Sequence, residues 1–266
     1  MNSMEILRRQ YQELEHNPLS ELGYDISNID IHKDFYTWRI SLLGAKDTSY
    51  ADGIFLIKIL FPNDYPYSRP EIFFLTPIYH PNVRKDGFVG VNFIYQWKPI
   101  TVREILIKLY GIFYLPNPYS PYSDEQAHEF KNNRYLYELK VKYFTKKYAN
   151  IKSFENIKNS DKWDFSFSLD DLKILKPPEP LEITINNNNN EKIELIFDVN
   201  SKKQMWQYNS EEKTDDAFKR FISANNIEEM NILFIYDRRK LNMNKTLRNN
   251  GLKDQSLITV ISGVQF

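Results

Sequence analysis

The sequence predicts an α+β protein with two domains, because strand-like and helix-like stretches occur in separate blocks. Residues 1–150 begin with one helix-like stretch and continue with four strand-like stretches and three more helix-like ones. A second group of strand-like stretches, arranged around a single helix, begins near residue 191. Between the groups lies Lys176-Pro177-Pro178-Glu179-Pro180, and proline at that density stiffens a chain. We therefore expect a first domain at residues 1–150, a linker at 151–190 and a second domain at 191–266.

The composition indicates a globular protein rather than a nucleic-acid-binding or membrane-spanning one. Of the 266 residues, 42% are hydrophobic, which is enough for a packed core. The 35 basic and 35 acidic residues balance, whereas a nucleic-acid or anionic-membrane surface would need a basic excess. No apolar run approaches the roughly 20 residues that a membrane span requires. We therefore expect neither a nucleic-acid partner nor a membrane span.

The N-terminus does not resemble a secretory signal, because acidic residues interrupt each apolar stretch of MNSMEILRRQYQELE. It is also unlike a transit peptide, since transit peptides avoid acidic residues. We therefore expect a cytoplasmic protein. Membership of an organelle-associated assembly, reached through an internal or unusual targeting signal, is the alternative.

The chain contains no cysteine. Disulfide bonds, thiolate metal sites and catalysis by a thiol are therefore excluded. The four histidines include no pair at the spacing of metal ligands, so we assign no metal and no cofactor.

The helices of the first domain are predicted from caps and apolar faces, and its strands from stretches rich in β-branched or aromatic residues between turn formers. Ser3 is predicted to cap a helix over residues 4–15, which Pro18 ends. Thr101 is predicted to cap a helix over residues 102–114. The remaining elements are strands near residues 29–31, 37–43, 53–60 and 71–75 and helices at 124–132 and 133–148.

One segment of the first domain carries a spaced motif: His80-Pro81-Asn82, then Gly87, and later Trp97-Lys98-Pro99. It resembles the active-site stretch of ubiquitin-conjugating enzymes, in which a cysteine lies between the glycine and the tryptophan. Gly90 stands at the position of that cysteine. Carrying ubiquitin as a thioester needs a thiolate, which is both nucleophile and leaving group. We therefore expect a non-catalytic pseudoenzyme.

The resemblance covers about residues 1–150, with FPNDYPYSRPEIFF before the motif and LPNPYSPYSDEQAHEF after it. FTKKYA, at residues 144–149, resembles the closing helix of the family. The resemblance implies the family's fold, which is a four-stranded antiparallel sheet with flanking helices.

The resemblance also implies roles for the residues around Gly90. In the family, the asparagine at the position of Asn82 stabilises the oxyanion or the loop beside the thioester. Without a thioester, we expect Asn82 to brace the loop and His80 to be a packed, hydrogen-bonded histidine. Ser120 stands about where active members often carry an acid, and serine cannot act as that base at neutral pH. Together with Pro81, these residues form a degenerate site.

Two loops of the first domain match the positions at which the family docks ligases. The matching residues are Pro66, Tyr67, Lys98, Pro99 and Ile100. Their partly apolar character indicates a surface that can still bind a protein partner. The alternative, given equal weight, is that these prolines and aromatic residues only shape turns.

The second domain resembles ubiquitin-like β-grasp domains. A predicted hairpin at residues 192–198 and 204–208, joined through Asn200-Ser201, precedes a helix capped by Thr214-Asp215-Asp216. Further strands are predicted at 232–236 and 257–261. Between them lies a Thr-Leu-x-x-x-Gly-Leu turn. The expected core residues are Leu241, Thr246, Leu247, Leu252 and Leu257.

Three functions remain open on the sequence. The first is a structural subunit that offers two protein-recognition surfaces within a larger assembly. The second is a regulator of ubiquitin conjugation that binds ubiquitin, an active conjugating enzyme or a ligase. The third is an enzyme with an unconventional nucleophile, and it is the weakest because no side chain at position 90 can accept an acyl group. We favour the first.

Overall fold

A computed structural model describes residues 2–26, 34–90, 97–150, 168, 191–199, 202–227 and 232–262. These residues fall into two compact units, which divide after residue 174. No helix among the described residues is long and apolar enough to cross a membrane.

The first unit begins with helix α1, Ser3–His16, which buries Leu7 and Leu14. Its cap is Asn2, whose side chain accepts a hydrogen bond from the Glu5 backbone N–H at 2.9 Å. The prediction that Ser3 caps this helix is therefore wrong. Ser3 is buried inside the first turn and its hydroxyl donates to the Asn63 carbonyl. Both residue types cap helices well, and the extended backbone of Asn2 decides which one does so here.

Four strands form an antiparallel sheet in the order β1-β2-β3-β4. They are β1 Tyr24–Asp25, β2 Thr37–Leu43, β3 Ile54–Leu60 and β4 Glu71–Phe74. Alternate residues point into the core, so Ile40 pairs with Ile57 and Ile59 with Ile72, and all four are buried. The predictions for β2, β3 and β4 are confirmed to within one residue. The strand predicted near 29–31 lies outside the described residues, and the two-residue β1 is too short for a sequence pattern to reveal.

Helix α2, Val102–Tyr110, follows the segment that carries the spaced motif, residues 80–99, which we call the motif loop. The helix continues as a 3-10 turn over Gly111–Phe113. Thr101 and Glu104 form a reciprocal capping box, which confirms the predicted cap. On α2, Arg103 is buried and its Nε lies 2.7 Å from the Glu13 carboxylate of α1. Two further helices, α3 Asp124–Asn132 and α4 Arg134–Tyr148, complete the unit.

In its described residues, the second unit contains a five-stranded mixed sheet and one helix. Its elements are β5 Lys192–Val199, β6 Lys202–Asn209, α5 Thr214–Ala224, β7 Leu233–Tyr236, β8 Arg239–Lys240 and β9 Ser256–Ile261. The strand order is β6-β5-β9-β7-β8, and only the β5–β9 pairing is parallel. Phe221 of α5 stacks on Phe197 of β5 at 4.0 Å between ring centroids, so the helix packs on one face of the sheet.

Two expectations for the second unit need correction. Thr214 does not cap α5: Lys213 is the cap residue, and the Thr214 hydroxyl donates to the Lys245 carbonyl at 2.9 Å. Leu241, Leu247 and Leu252 are buried as expected, but Thr246 and Leu257 are only partly buried. In β9 the alternation of side chains directs Ile258, rather than Leu257, toward the core. The predicted core residue of this strand is therefore wrong by one position.

Candidate functional site

The motif loop after β4 folds back on the sheet through short backbone bridges. Phe73 pairs with Phe88 and Val83 pairs with Val89. The turn between them passes through Gly87, which has a φ of 86°, a backbone conformation that favours glycine. The sheet therefore holds the loop that carries Gly90.

His80 is fully buried, and both of its ring nitrogens have backbone partners. Nδ1 lies 3.0 Å from the backbone nitrogen of Asn82, and Nε2 lies 3.1 Å from the carbonyl of Ile112. Since a backbone N–H can only donate, Nδ1 accepts and Nε2 carries the proton that is donated to Ile112. Burial lowers the pKa of His80 to about 3, so the imidazole is neutral at physiological pH.

Asn82 is also fully buried, and every hydrogen-bonding group of its side chain is used. Nδ2 donates to the carbonyls of Asn117 and Ser120 at 2.8 and 3.1 Å, and Oδ1 accepts from the backbone N–H of Asn117 at 2.7 Å. The amide thus ties the motif to the loop before α3. Ser120 takes part through its backbone carbonyl, and the residue itself is exposed.

Gly90 lies directly beneath an aromatic ring. Its backbone N–H donates to the Asn82 carbonyl at 3.0 Å. A Cβ built on Gly90 would lie 1.8 Å from Cε2 and 2.3 Å from Cδ2 of Tyr122. Any side chain at position 90 would therefore overlap this ring. We refer to His80, Asn82, Gly90 and Tyr122 as the vacated site.

Tyr122 is the residue of this site that sequence reasoning missed. Its backbone N–H donates to the Pro81 carbonyl at 2.7 Å, and its ring meets Phe88 edge-on at 5.9 Å between centroids. No spacing rule links position 122 to position 90, because the contact arises from the way the Pro-rich loop returns to the motif. Pro81 thus contributes to the site through its carbonyl.

The five expected partner-binding residues occupy two loops that are bonded together, and we refer to them as the Tyr67 edge. Trp97 Nε1 donates to the Pro66 carbonyl at 2.7 Å, and the Tyr65 hydroxyl donates to the Ile100 carbonyl at 2.8 Å. Tyr67 is 79% exposed. Lys98 and Pro99 are exposed, whereas Pro66 and Ile100 are partly buried.

Comparison with known proteins identifies the first unit. Residues 6–145, just over half of the chain, match the ubiquitin-conjugating enzyme family. The chain belongs to this family, as the motifs predicted. A crystal structure from Plasmodium yoelii, assigned as a ubiquitin conjugating enzyme, is 29% identical with a TM-score of 0.49, and the match covers 54% of this chain and 93% of that one. Because the chain contains no cysteine, the cysteine thioester site of the family is absent.

Proposed function

We propose that the protein is a non-catalytic pseudoenzyme that acts as a structural or protein-interaction subunit of a larger assembly. The observation that carries this proposal is Gly90, which offers no nucleophile and lies under the Tyr122 ring. His80 and Asn82 are committed to backbone partners, so neither is available to replace the missing chemistry. The fold is retained while the reaction is lost.

The second unit is proposed to be a ubiquitin-like β-grasp domain. Its support is the topology: a hairpin, a helix across one face of the sheet, and a last strand, β9, parallel to the first strand, β5. In this proposal the first domain covers residues 1–150, the linker 151–190 and the ubiquitin-like domain 191–266. The chain would then present two separate folds for recognition by proteins.

The Tyr67 edge is the proposed partner-binding surface of the first domain. Tyr67 is 79% exposed on a loop that is hydrogen-bonded to its neighbour through Trp97. Its side chain therefore contributes little to folding. Tyrosine at such a position can contribute strongly to an interface, because it offers a large area with few rotatable bonds.

The same edge favours a second candidate function, a regulator of ubiquitin conjugation. A partner of the ubiquitin pathway, namely ubiquitin, an active conjugating enzyme or a ligase, would bind an inactive member without transferring anything to it. The two candidates differ in stoichiometry, because a structural subunit is permanently assembled and a regulator exchanges between partners.

Purification of the tagged full-length chain from its native cells, at natural abundance, tests both candidates. Fixed one-to-one recovery in a large, salt-resistant particle is the result expected for the structural subunit. Substoichiometric recovery with ubiquitin, a conjugating enzyme or a ligase would instead establish the regulator. Recovery of the chain alone would contradict both. Nuclease treatment should leave the particle intact, and cell fractionation will show whether it is cytoplasmic or associated with an organelle.

A further inference from the structure

We propose that Tyr122 closes the vacated site: its ring fills the space of the missing nucleophile, and position 90 must be glycine because of that ring. This inference rests on the proposed non-catalytic function and adds a second obstacle to catalysis. It implies that the return of a cysteine at position 90 would not by itself give an accessible thiol.

The backbone of Gly90 does not explain why the residue is glycine. Unlike Gly87, Gly90 does not have a positive φ, so an L-residue can adopt its backbone conformation. The obstacle is the 1.8 Å separation between a built Cβ and Tyr122 Cε2. Non-bonded carbon atoms prefer about 3.5–4.0 Å. The requirement for glycine therefore comes from the ring.

The backbones on the two sides of this contact are fixed. Gly90 donates to Asn82 at 3.0 Å, and the preceding residue, Val89, donates to the Ile72 carbonyl of β4 at 2.9 Å. On the opposite side, Tyr122 and Ser123 both donate to the Pro81 carbonyl, at 2.7 and 3.0 Å. Neither segment can withdraw without breaking these bonds.

The remaining way to make room is rotation of the Tyr122 side chain toward solvent. The residue is 36% exposed, so an outward path exists, but rotation would end the edge-on contact with Phe88. The Tyr122 ring therefore covers position 90, and its contact with Phe88 holds the ring there. An extended peptide tail laid across position 90 would meet the same ring, so partners must bind without reaching Gly90.

Thiol labelling provides the test, because the chain has no cysteine and an introduced one is the sole thiol. The variants are Gly90→Cys with Tyr122 intact, with Tyr122→Phe, which keeps the ring, and with Tyr122→Ala, which removes it. A fourth variant combines Gly90→Cys with Tyr135→Ala and controls for the loss of an exposed tyrosine elsewhere. Ser120→Cys supplies the rate of an exposed thiol.

The reaction with Ellman's reagent should be on the order of 10-fold slower in the three Gly90→Cys variants that keep the ring than in Gly90→Cys/Tyr122→Ala. The new Cβ displaces the ring, but the backbone bond of Tyr122 to Pro81 keeps the ring beside the sulfur, so the thiol reacts only when the ring swings further outward. Equal rates would overturn the proposal. If Gly90→Cys does not fold, folding of its Tyr122→Ala partner supports the proposal, and failure of both overturns it. These readings use purified chain alone, so they are independent of the partner recovery that tests the proposed function.

Discussion

The vacated site and the Tyr67 edge lie in the same unit but differ in what a partner can reach. At the vacated site, His80 and Asn82 are fully buried and Gly90 lies under a ring. At the Tyr67 edge, the side chains of Trp97 and Tyr65 donate hydrogen bonds to the Pro66 and Ile100 carbonyls, and Tyr67 remains 79% exposed. The motif residues thus support the fold through buried hydrogen bonds, whereas the side chains that a partner can contact lie on the neighbouring loops. Substitutions in the two regions should therefore have opposite consequences.

The largest effect on stability is expected for Asn82→Ala. The change leaves the carbonyls of Asn117 and Ser120 and the N–H of Asn117 without their partner inside the protein. Unpaired buried groups cost about 1–3 kcal/mol each, with partial relief from water, so we expect about 3 kcal/mol of destabilisation. Urea denaturation measures it. Asn132→Ala, at an exposed position of α3, should change stability by less than about 0.5 kcal/mol.

A loss below about 1 kcal/mol for Asn82→Ala would contradict a bracing role for this amide. It would also remove the contrast between the two regions, because the vacated site would then contribute no more to folding than the exposed loops do.

The pH dependence of stability provides the second test. The folded-state pKa of His80 is about 3, below the roughly 6.5 of an unfolded histidine. Below pH 6.5 the unfolded chain therefore binds a proton that the folded chain does not, so stability falls as the pH falls toward 3. The expected contribution is about 2 kcal/mol lost between pH 7 and pH 5. It is measured as the free energy of unfolding in urea at each pH.

His80→Gln is the matching variant, because glutamine does not titrate. It should be less stable at pH 7 and show a flatter pH profile, whereas His128→Gln, at an exposed position, should keep the wild-type slope. An unchanged slope in His80→Gln would show that other groups cause the acid sensitivity.

The sequence revealed the parts of this region that depend on local pattern. A spaced motif locates His80, Asn82 and Gly90, and β2 and β3 are indicated by stretches rich in β-branched and aromatic residues. Tyr122 was not found, because its contact with Gly90 depends on how a loop of several prolines returns to Pro81. Local rules also failed by one residue where neighbouring side chains are equally suitable, as with Asn2 and Ser3 at the start of α1. Pattern identifies elements, whereas contacts between loops require the folded chain.

A smaller loss is expected for Gly90→Ala, whose Cβ must displace the Tyr122 ring. Overpacking of this kind costs typically 1–3 kcal/mol, and we expect the lower half of that range because the ring can turn outward. The cost should fall by about 1 kcal/mol in a Tyr122→Ala background, since residues in contact are not additive. Thermal or urea unfolding of the four chains completes the cycle.

Tyr119→Ala is the control for this cycle. Tyr119 is 83% exposed on the same loop, so its removal should leave the cost of Gly90→Ala unchanged. Additive effects of Gly90→Ala and Tyr122→Ala would mean that the ring moves aside at no cost, and the vacated site would then be open rather than closed.

The smallest effect on stability, and the largest on binding, is expected at the Tyr67 edge. Tyr67→Ala and Lys98→Glu should each change the free energy of unfolding by less than about 0.5 kcal/mol, because both side chains are exposed. If the edge contacts a partner, recovery of companions with tagged Tyr67→Ala should fall about 10-fold, corresponding to a loss of about 1.4 kcal/mol in binding. Tyr135→Ala, which removes a tyrosine that is 76% exposed on α4, should leave recovery unchanged. Full recovery with both Tyr67→Ala and Lys98→Glu would contradict a partner-binding role for the Tyr67 edge. These residues would then only shape turns, and the second unit would be the next candidate for the interface.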